Sequence, residues 1–388
     1  MRNLWQAFVQ FFVSLKLTVA LLVLSLLLVF FATLDQQNLG VWGIQQKWFH
    51  SIVVLQDMKG FPFPIFPGGY FLGGLLLINL ISAHVYRFKL SLRKSGIFLT
   101  HVGLILLLIG ELLSGILQED FQMQLTEGET KSYAESQRLN ELAVIDASDP
   151  KFDDVVAIPE KFLEQKASLQ HPKLPFRVSI RAYYPNAAVQ RRDQAPNAPP
   201  SLATSGAGPQ IAVTPLPITY RADERNVPAA FVEFTASDNS TLGTWLVCTD
   251  LMPQTFSYEG KTWKFTLRPE RRYNPYELSL LKVTNDIFPG TDIPKNFSSR
   301  VHIKSDDGKD DREVLIYMNN PLRFKGMTFY QYQMDAANRN SVLQVVRNPS
   351  WLLPYISCIL MGLGLVIQFG IHLFGFIRKR TSTRAVAA

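Results

Sequence analysis

His101 is the residue of this chain best suited to chemistry. It lies in SGIFLTHVGLILLLIGELLSGIL, residues 95–117, a run long and apolar enough to cross a bilayer. An ionisable imidazole at membrane depth is costly, and such residues mark functional sites. Imidazole also ligates metal ions, haem iron among them. Placed some five residues into its helix, His101 sits roughly 7 Å from the helix start. Residue type alone leaves two readings open: a metal-site ligand, or a histidine that only hydrogen-bonds between helices.

The other chemically capable groups are scattered. Glu111 follows ten residues later. At about 100° per residue it lies some 80° around the helix from His101, so the two form no stripe. It is expected in the wet headgroup zone. His84 and His372 stand near the ends of their own apolar runs and read as interfacial. Gln368 and Cys358 fit helix–helix contacts. His171 and His302 are isolated, without HxxxH or HExxH spacing, so a metal site there has weak support. No nucleophile elbow, phosphate loop, dinucleotide fingerprint or carboxylate pair is present. The run Asp306-Asp307-Gly308-Lys309-Asp310-Asp311 lacks the alternating spacing and terminal Glu of a calcium loop and reads as a charged turn. There are two cysteines, Cys248 and Cys358, with no CxxC and no CxxCH. A dithiol oxidoreductase and a c-type cytochrome are thereby excluded, and no internal disulfide is expected.

What positions His101 follows from the distribution of apolar residues. In these 388 residues they bunch into four blocks, at 17–34, 70–86, 95–117 and 351–377. About 20 apolar residues in a helix span the hydrocarbon core, so four transmembrane helices are predicted. The first block exceeds the ~7–15-residue core of a signal peptide and no small-residue cleavage site follows it, so it is expected to be retained. The net charge of +7 has a membrane explanation. Arg87, Lys89, Arg93 and Lys94 in one short connection, and Arg378, Lys379, Arg380 and Arg384 in the tail, come without acids. Positive short loops stay cytoplasmic, which puts both termini inside and the long segment between helices three and four outside.

That segment carries short alternating runs at 176–184, 229–237, 243–250, 261–269, 276–287, 312–319 and 341–348, separated by turn signals. The predicted fold class is therefore a membrane protein, α plus β: four transmembrane helices with a large external antiparallel β-rich domain, sandwich or open barrel. Its boundaries are 1–117 for a membrane region with helices at about 14–35, 70–87 and 96–117, 118–348 for the external domain, and 349–388 for the last helix and basic tail. Residues 185–228, rich in Pro, Ala, Ser and Gly, read as a flexible insertion that buries little. The aromatics of residues 35–69 read as an interfacial anchor.

Several blocks resemble one known family. SLKLTVALLVLSLLLVFFATLDQ (residues 14–36) and FLTHVGLILLLIGELLSG resemble the first and third helices of the ResB/CcsB cytochrome c biogenesis proteins. MNNPLRFKGMTFYQYQM (318–334) resembles that family's signature before the last helix, NPSWLLPYISCILMGLGL the start of that helix, and FPGTDIPKNFSSRVHI (288–303) the region between. The likeness is strong at both ends and weak at about 132–283. It implies a system II cytochrome c maturation subunit that works with a ResC/CcsA-type partner, carries haem b across the bacterial cytoplasmic membrane and presents it to apocytochrome c. It further implies that His101 is an axial ligand of the haem iron, that a histidine of the partner stands opposite, and that thioether formation belongs to the partner. The family's Trp-rich external motif is the partner's and is not found here, and 388 residues leave no room for the partner's helices. Leu99, Val102, Leu104 and Ile105 would suit a porphyrin face, and Lys89, Arg93 or Lys94 its propionates. A competing reading makes the chain a membrane-tethered β scaffold of another envelope complex, with His101 only packing helices.

Overall fold

The computed structural model describes residues 2–386 except 59, 89–90, 150–151, 196–197, 221–223, 292–293 and 336–338. It divides into a helical unit and a β unit. Among the described residues four stretches are long and apolar enough to cross a membrane: Leu15–Phe49, Gly69–Tyr86, Leu92–Leu117 and Leu353–Arg378. They match the four expected spans.

The helical unit begins with α1 (Arg2–Phe12), a short helix not foreseen from the pattern. Then come α2 (Leu15–Ile44), α3 (Gly69–Tyr86), α4 (Ser95–Leu117) and α5 (Leu353–Val386). Helix α2 overruns its expected end near residue 35. Asp35 does not stop it because its carboxylate is satisfied locally, accepting from Lys47 Nζ at 2.7 Å and Trp48 Nε1 at 2.9 Å. The helix is broken at Gly40, which takes φ 66°, a conformation open to glycine. Part of the aromatic 35–69 stretch is a hairpin, Val53–Met58 with Phe61–Pro67, whose Val54 packs with Leu21, Leu28, Ala32 and Leu72. Asn79 of α3, almost fully buried, donates to Phe12 O at 2.7 Å and accepts from Thr18 Oγ1 at 2.6 Å. It thereby satisfies a carbonyl at the α1–α2 joint that would otherwise be orphaned. Large apolar side chains face outward along the spans, Leu26, Val366 and Phe369 each about 70% exposed at 71%, 70% and 71%. Such a surface suits lipid rather than water.

Helix α4 packs on α5 through glycines seven apart. Gly96, Gly103 and Gly110 are all buried. A Cβ on Gly96 would lie 2.5 Å from Gly364 O, and one on Gly103 would lie 2.6 Å from Met361 Cγ. Small residues at this spacing let two helix backbones touch. At the other end Ser114 Oγ meets Ser350 Oγ at 3.0 Å and accepts from Asn348 Nδ2 at 3.0 Å.

The β unit contains both architectures that the alternation pattern allowed. Eight strands run in the order Asp311–Tyr317, Pro294–Ser305, Lys261–Ile287, Thr130–Asp146, Glu119–Thr126, Asn340–Arg347, Met327–Asp335 and Leu322–Phe324. A bridge between Tyr317 and Asn320 brings the two edges together, so the sheet nearly closes into a barrel. Its core holds Leu125, Leu278, Leu280, Val301, Ile303, Phe329 and Val345. The expected strands at 261–269 and 276–287 are one continuous strand, bent by irregularities at 269–271 and 273–278. Its first half and the second half of Thr130–Asp146 leave the barrel and face a four-stranded sheet built on Phe176–Tyr184, Ala229–Ala236 and Thr241–Cys248. Between them lie Leu142, Val178, Val232, Phe234, Trp263 and Phe265.

The signature block at 318–334 is explained by this fold. It forms the hairpin Leu322–Phe324 with Met327–Asp335, turning at Lys325 and Gly326, which both take positive φ. Leu322, Phe324, Met327 and Phe329 point into the barrel core. The block therefore carries packing and a turn.

One expectation is corrected. The 185–228 segment is not devoid of burial: Ala187–Arg191 pairs with Ile211–Pro215, and Ala187, Ala203 and Val213 share a core with Phe231, Leu246 and Cys248. Alanine and valine at alternate positions supply enough apolar area against a pre-formed sheet, which composition alone concealed. Cys248 is buried and free, its thiol pushed up by burial. The 306–311 run is a turn, as expected, with Asp307 lowered chiefly by its Ser305 hydrogen bond.

Candidate functional site

His101 is fixed to α4 by its own backbone. Its Nδ1 lies 2.7 Å from Ile97 O, one turn earlier. A carbonyl only accepts, so Nδ1 carries a proton and donates, which leaves Nε2 as the nitrogen available to a ligand. Rotation of the helix sets the direction. His101 is two residues before Gly103, about 200° around the helix, so it faces away from the glycine seam and α5. It faces α3, where its ring centroid lies 4.9 Å from that of His84, at an interplanar angle of 47°.

His84 repeats the arrangement. Its Nδ1 lies 3.2 Å from Leu80 O, again one turn earlier on its own helix. Its Nε2 is shut off from solvent and has no hydrogen-bond partner among the described residues. Phe88 stacks on the His84 ring at 5.3 Å and 17°, and Phe98 packs against both at 5.6–6.2 Å. The site is thus two imidazoles, each with Nδ1 against a carbonyl of its own helix, in an aromatic and aliphatic wall.

The remaining expected residues fall in different places. Leu99, Val102 and Ile105 are half-buried and Leu104 is exposed. Arg93 and Lys94 are exposed on the turn leading into α4, and Lys89 lies outside the described residues. Arg87 donates to Val13 O at 3.2 Å and, with Lys16, Val9 and Tyr86, lines a groove of about 500 Å³. Glu111 is exposed. His372 is paired with Gln368 at 2.8 Å, His302 with Asp311 at 2.6 Å. His171 Nδ1 accepts from Lys173 N at 3.3 Å. Among the described residues no three His, Cys, Asp or Glu side chains cluster as a metal site.

No family model matches the chain. It is similar to Protein NrfI of Wolinella succinogenes, at 23% identity over 296 residues. The match covers 76% of this chain and 29% of that protein, so the chain spans less than a third of the relative's length.

His84, read from the sequence as interfacial, lies two residues before the end of α3 and packs against the His101 ring. The short basic connection makes α3 and α4 antiparallel neighbours, so residues near it on the two helices can meet.

Proposed function

We propose that the chain is a haem-handling subunit of cytochrome c maturation. With a ResC/CcsA-type membrane partner it carries haem b across the bacterial cytoplasmic membrane and presents it to apocytochrome c. The observation that carries this reading is the His101 ring, locked by Ile97 O with Nε2 free on an apolar, half-buried face. An outer carbonyl that fixes the tautomer is how ligating histidines are oriented for a metal. The residue-level likeness of 14–36, 98–115 and 318–334 to the ResB/CcsB family supports it, and the similarity to Protein NrfI supports a general role in cytochrome c maturation.

In this reading both termini and the Arg87–Lys94 connection are cytoplasmic and the β unit is external, an orientation that the distribution of cations supports. Haem enters from the cytoplasmic side. His101 gives Nε2 to one axial position of the iron and the partner gives a histidine to the other. The phenyl rings of Phe88 and Phe98 offer apolar contact to a porphyrin face. Lys16, Arg87, Arg93 and Lys94 set a positive field for the propionates. Thioether formation takes place in the partner.

The test is deletion of the coding sequence in its host, followed by haem staining of membrane proteins separated on a denaturing gel. Loss of the c-type bands, restored by a plasmid copy, is expected. Intact c-type bands would refute the reading and leave the envelope-scaffold alternative.

A further inference from the structure

The basic end of the helical unit has no counter-charge of its own. Residues 1–34, 69–110 and 349–388 hold no Asp or Glu, whereas Lys16 starts α2, Arg87 ends α3, and Arg93 and Lys94 lead into α4. Asp35, the first acid after Lys16, lies roughly 28 Å further along α2. Two of these cations share a groove. Arg87 donates Nη1 to Val13 O at 3.2 Å, at the joint between α1 and α2, which uses one of its five N–H groups. Lys16 is exposed and makes no hydrogen bond or ion pair among the described residues. With Val9, Gln10, Val13 and Tyr86 they line about 500 Å³, within the roughly 300–1,000 Å³ of small-molecule sites. No carboxylate borders this space, so its charge selects an anion. The surroundings select an anion with an apolar tail. Helix α1 sets Gln6 and Gln10 on one side and Phe8 and Phe11 on the other, both rings more than half exposed. A helix so divided lies in a membrane interface with its apolar side at the acyl boundary. Leu15, at the mouth of the groove, opens a row with Val19, Leu22 and Val23 on one face of α2, each more than half exposed. An open row of this kind suits a flexible chain lying along the helix.

We propose that this groove binds an anionic membrane phospholipid, its phosphate between Lys16 and Arg87 and an acyl chain along the row from Leu15 to Val23. Basic pockets between transmembrane helices bind anionic headgroups in this way. The bound lipid supplies the missing counter-charge and ties the α1–α2 joint to the end of α3, because Arg87 touches both. Each basic side chain near an anionic membrane surface is worth about fivefold in binding, so the pair is worth about 25-fold. The proposal stands whether or not the chain handles haem. Haem propionates are the other anions considered at this end, and the test separates the two.

The full chain is purified in maltoside micelles, washed free of lipid and titrated with phosphatidylglycerol or phosphatidylcholine, and bound lipid is counted by native mass spectrometry. Phosphatidylglycerol should bind at least tenfold more tightly than phosphatidylcholine. That preference should fall about fivefold in Lys16→Gln and nearly vanish in Lys16→Gln with Arg87→Gln. Arg93→Gln with Lys94→Gln removes the same charge outside the groove and should leave the preference unchanged. Should Arg87→Gln loosen the α1–α2 joint, Lys16→Gln alone carries the test, since no bond within the chain is lost with it. Equal binding of the two lipids by the wild-type chain overturns the proposal. So does an equal loss of preference in both double variants, which would reduce the groove to general surface charge. Displacement of phosphatidylglycerol by an equimolar amount of haem or of inorganic phosphate also overturns it, and hands the groove to that anion.

Discussion

Alanine at the three seam glycines of α4 should give three different results, because the groups that each new Cβ meets differ in their freedom to move. In a helix interior Ala is favoured over Gly by roughly 0.8–1 kcal/mol, while forcing an extra methyl into a packed contact costs about 1–3 kcal/mol. At Gly96 the new Cβ would sit 2.5 Å from Gly364 O and 2.6 Å from Gln368 N, both backbone atoms. Neither yields without separating α4 from α5, so the overpacking cost falls at the top of its range and the net loss is about 2 kcal/mol. At Gly103 the nearest atom is Met361 Cγ at 2.6 Å, which can swing away, but Ser357 O at 2.9 Å cannot, and the net loss is about 1 kcal/mol. At Gly110 the nearest atom is Leu353 Cβ at 3.1 Å, and the two effects nearly cancel, within about 0.5 kcal/mol. Gly370 of α5, with nothing within 4 Å, is the control and should be neutral or stabilised. Unfolding of the purified protein in mixed micelles by increasing sodium dodecyl sulfate, followed by helical circular dichroism, ranks the four. A Gly96→Ala variant no less stable than Gly110→Ala refutes the close seam.

Three further outcomes follow from the β unit and the charge pattern. Glu141 and Arg268 form an ion pair at 2.8 Å with side chains only 6% and 11% exposed, so Glu141→Gln leaves a buried guanidinium uncompensated and should cost about 3–5 kcal/mol in urea unfolding followed by tryptophan fluorescence. Replacing both, as Glu141→Leu with Arg268→Met, should recover most of that loss. Asp146 is held down to about 2 by its hydrogen bonds from Lys261 and Ser148. Its folded value lies below the ordinary carboxylate value, so the stabilisation it gives is present above about pH 4 and is lost as pH falls toward 2. Asp146→Asn should therefore flatten the unfolding midpoint across that window, and an unchanged acid limb contradicts the pairing. Fusions of alkaline phosphatase should be active when placed after Asn239 in the β unit and inactive at the C-terminus, and the reverse pattern would invert the proposed orientation.

How far the sequence carried can be judged at particular residues. The four spans were legible because eighteen or more apolar residues have few other homes. The end of α2 was not, because the Lys47 and Trp48 that neutralise Asp35 lie more than ten residues later in the chain. Strand 176–184 was legible from its strict alternation. The Thr130–Asp146 strand was missed because it serves two cores, and its second half, from Glu141 to Ile145, is buried on both faces and so does not alternate. The alternation pattern could not choose between sandwich and barrel, and the bent strand Lys261–Ile287 shows why, since it belongs to both. At the site, His101 stood out by residue type, whereas His84 at a helix end had an ordinary interfacial explanation. Only the rotation of α4, set by glycines on its far side, brings the two rings together.

The haem spectrum of His101→Ala decides most. The chain is co-expressed with its ResC/CcsA-type partner, the complex is purified, and haem content and reduced spectra are compared with wild type, with and without added imidazole during growth. Haem content should fall by at least fivefold relative to wild type and return when imidazole fills the space left by the ring. Full retention of haem with an unaltered spectrum would show that His101 is not an iron ligand and that its place between the helices is structural.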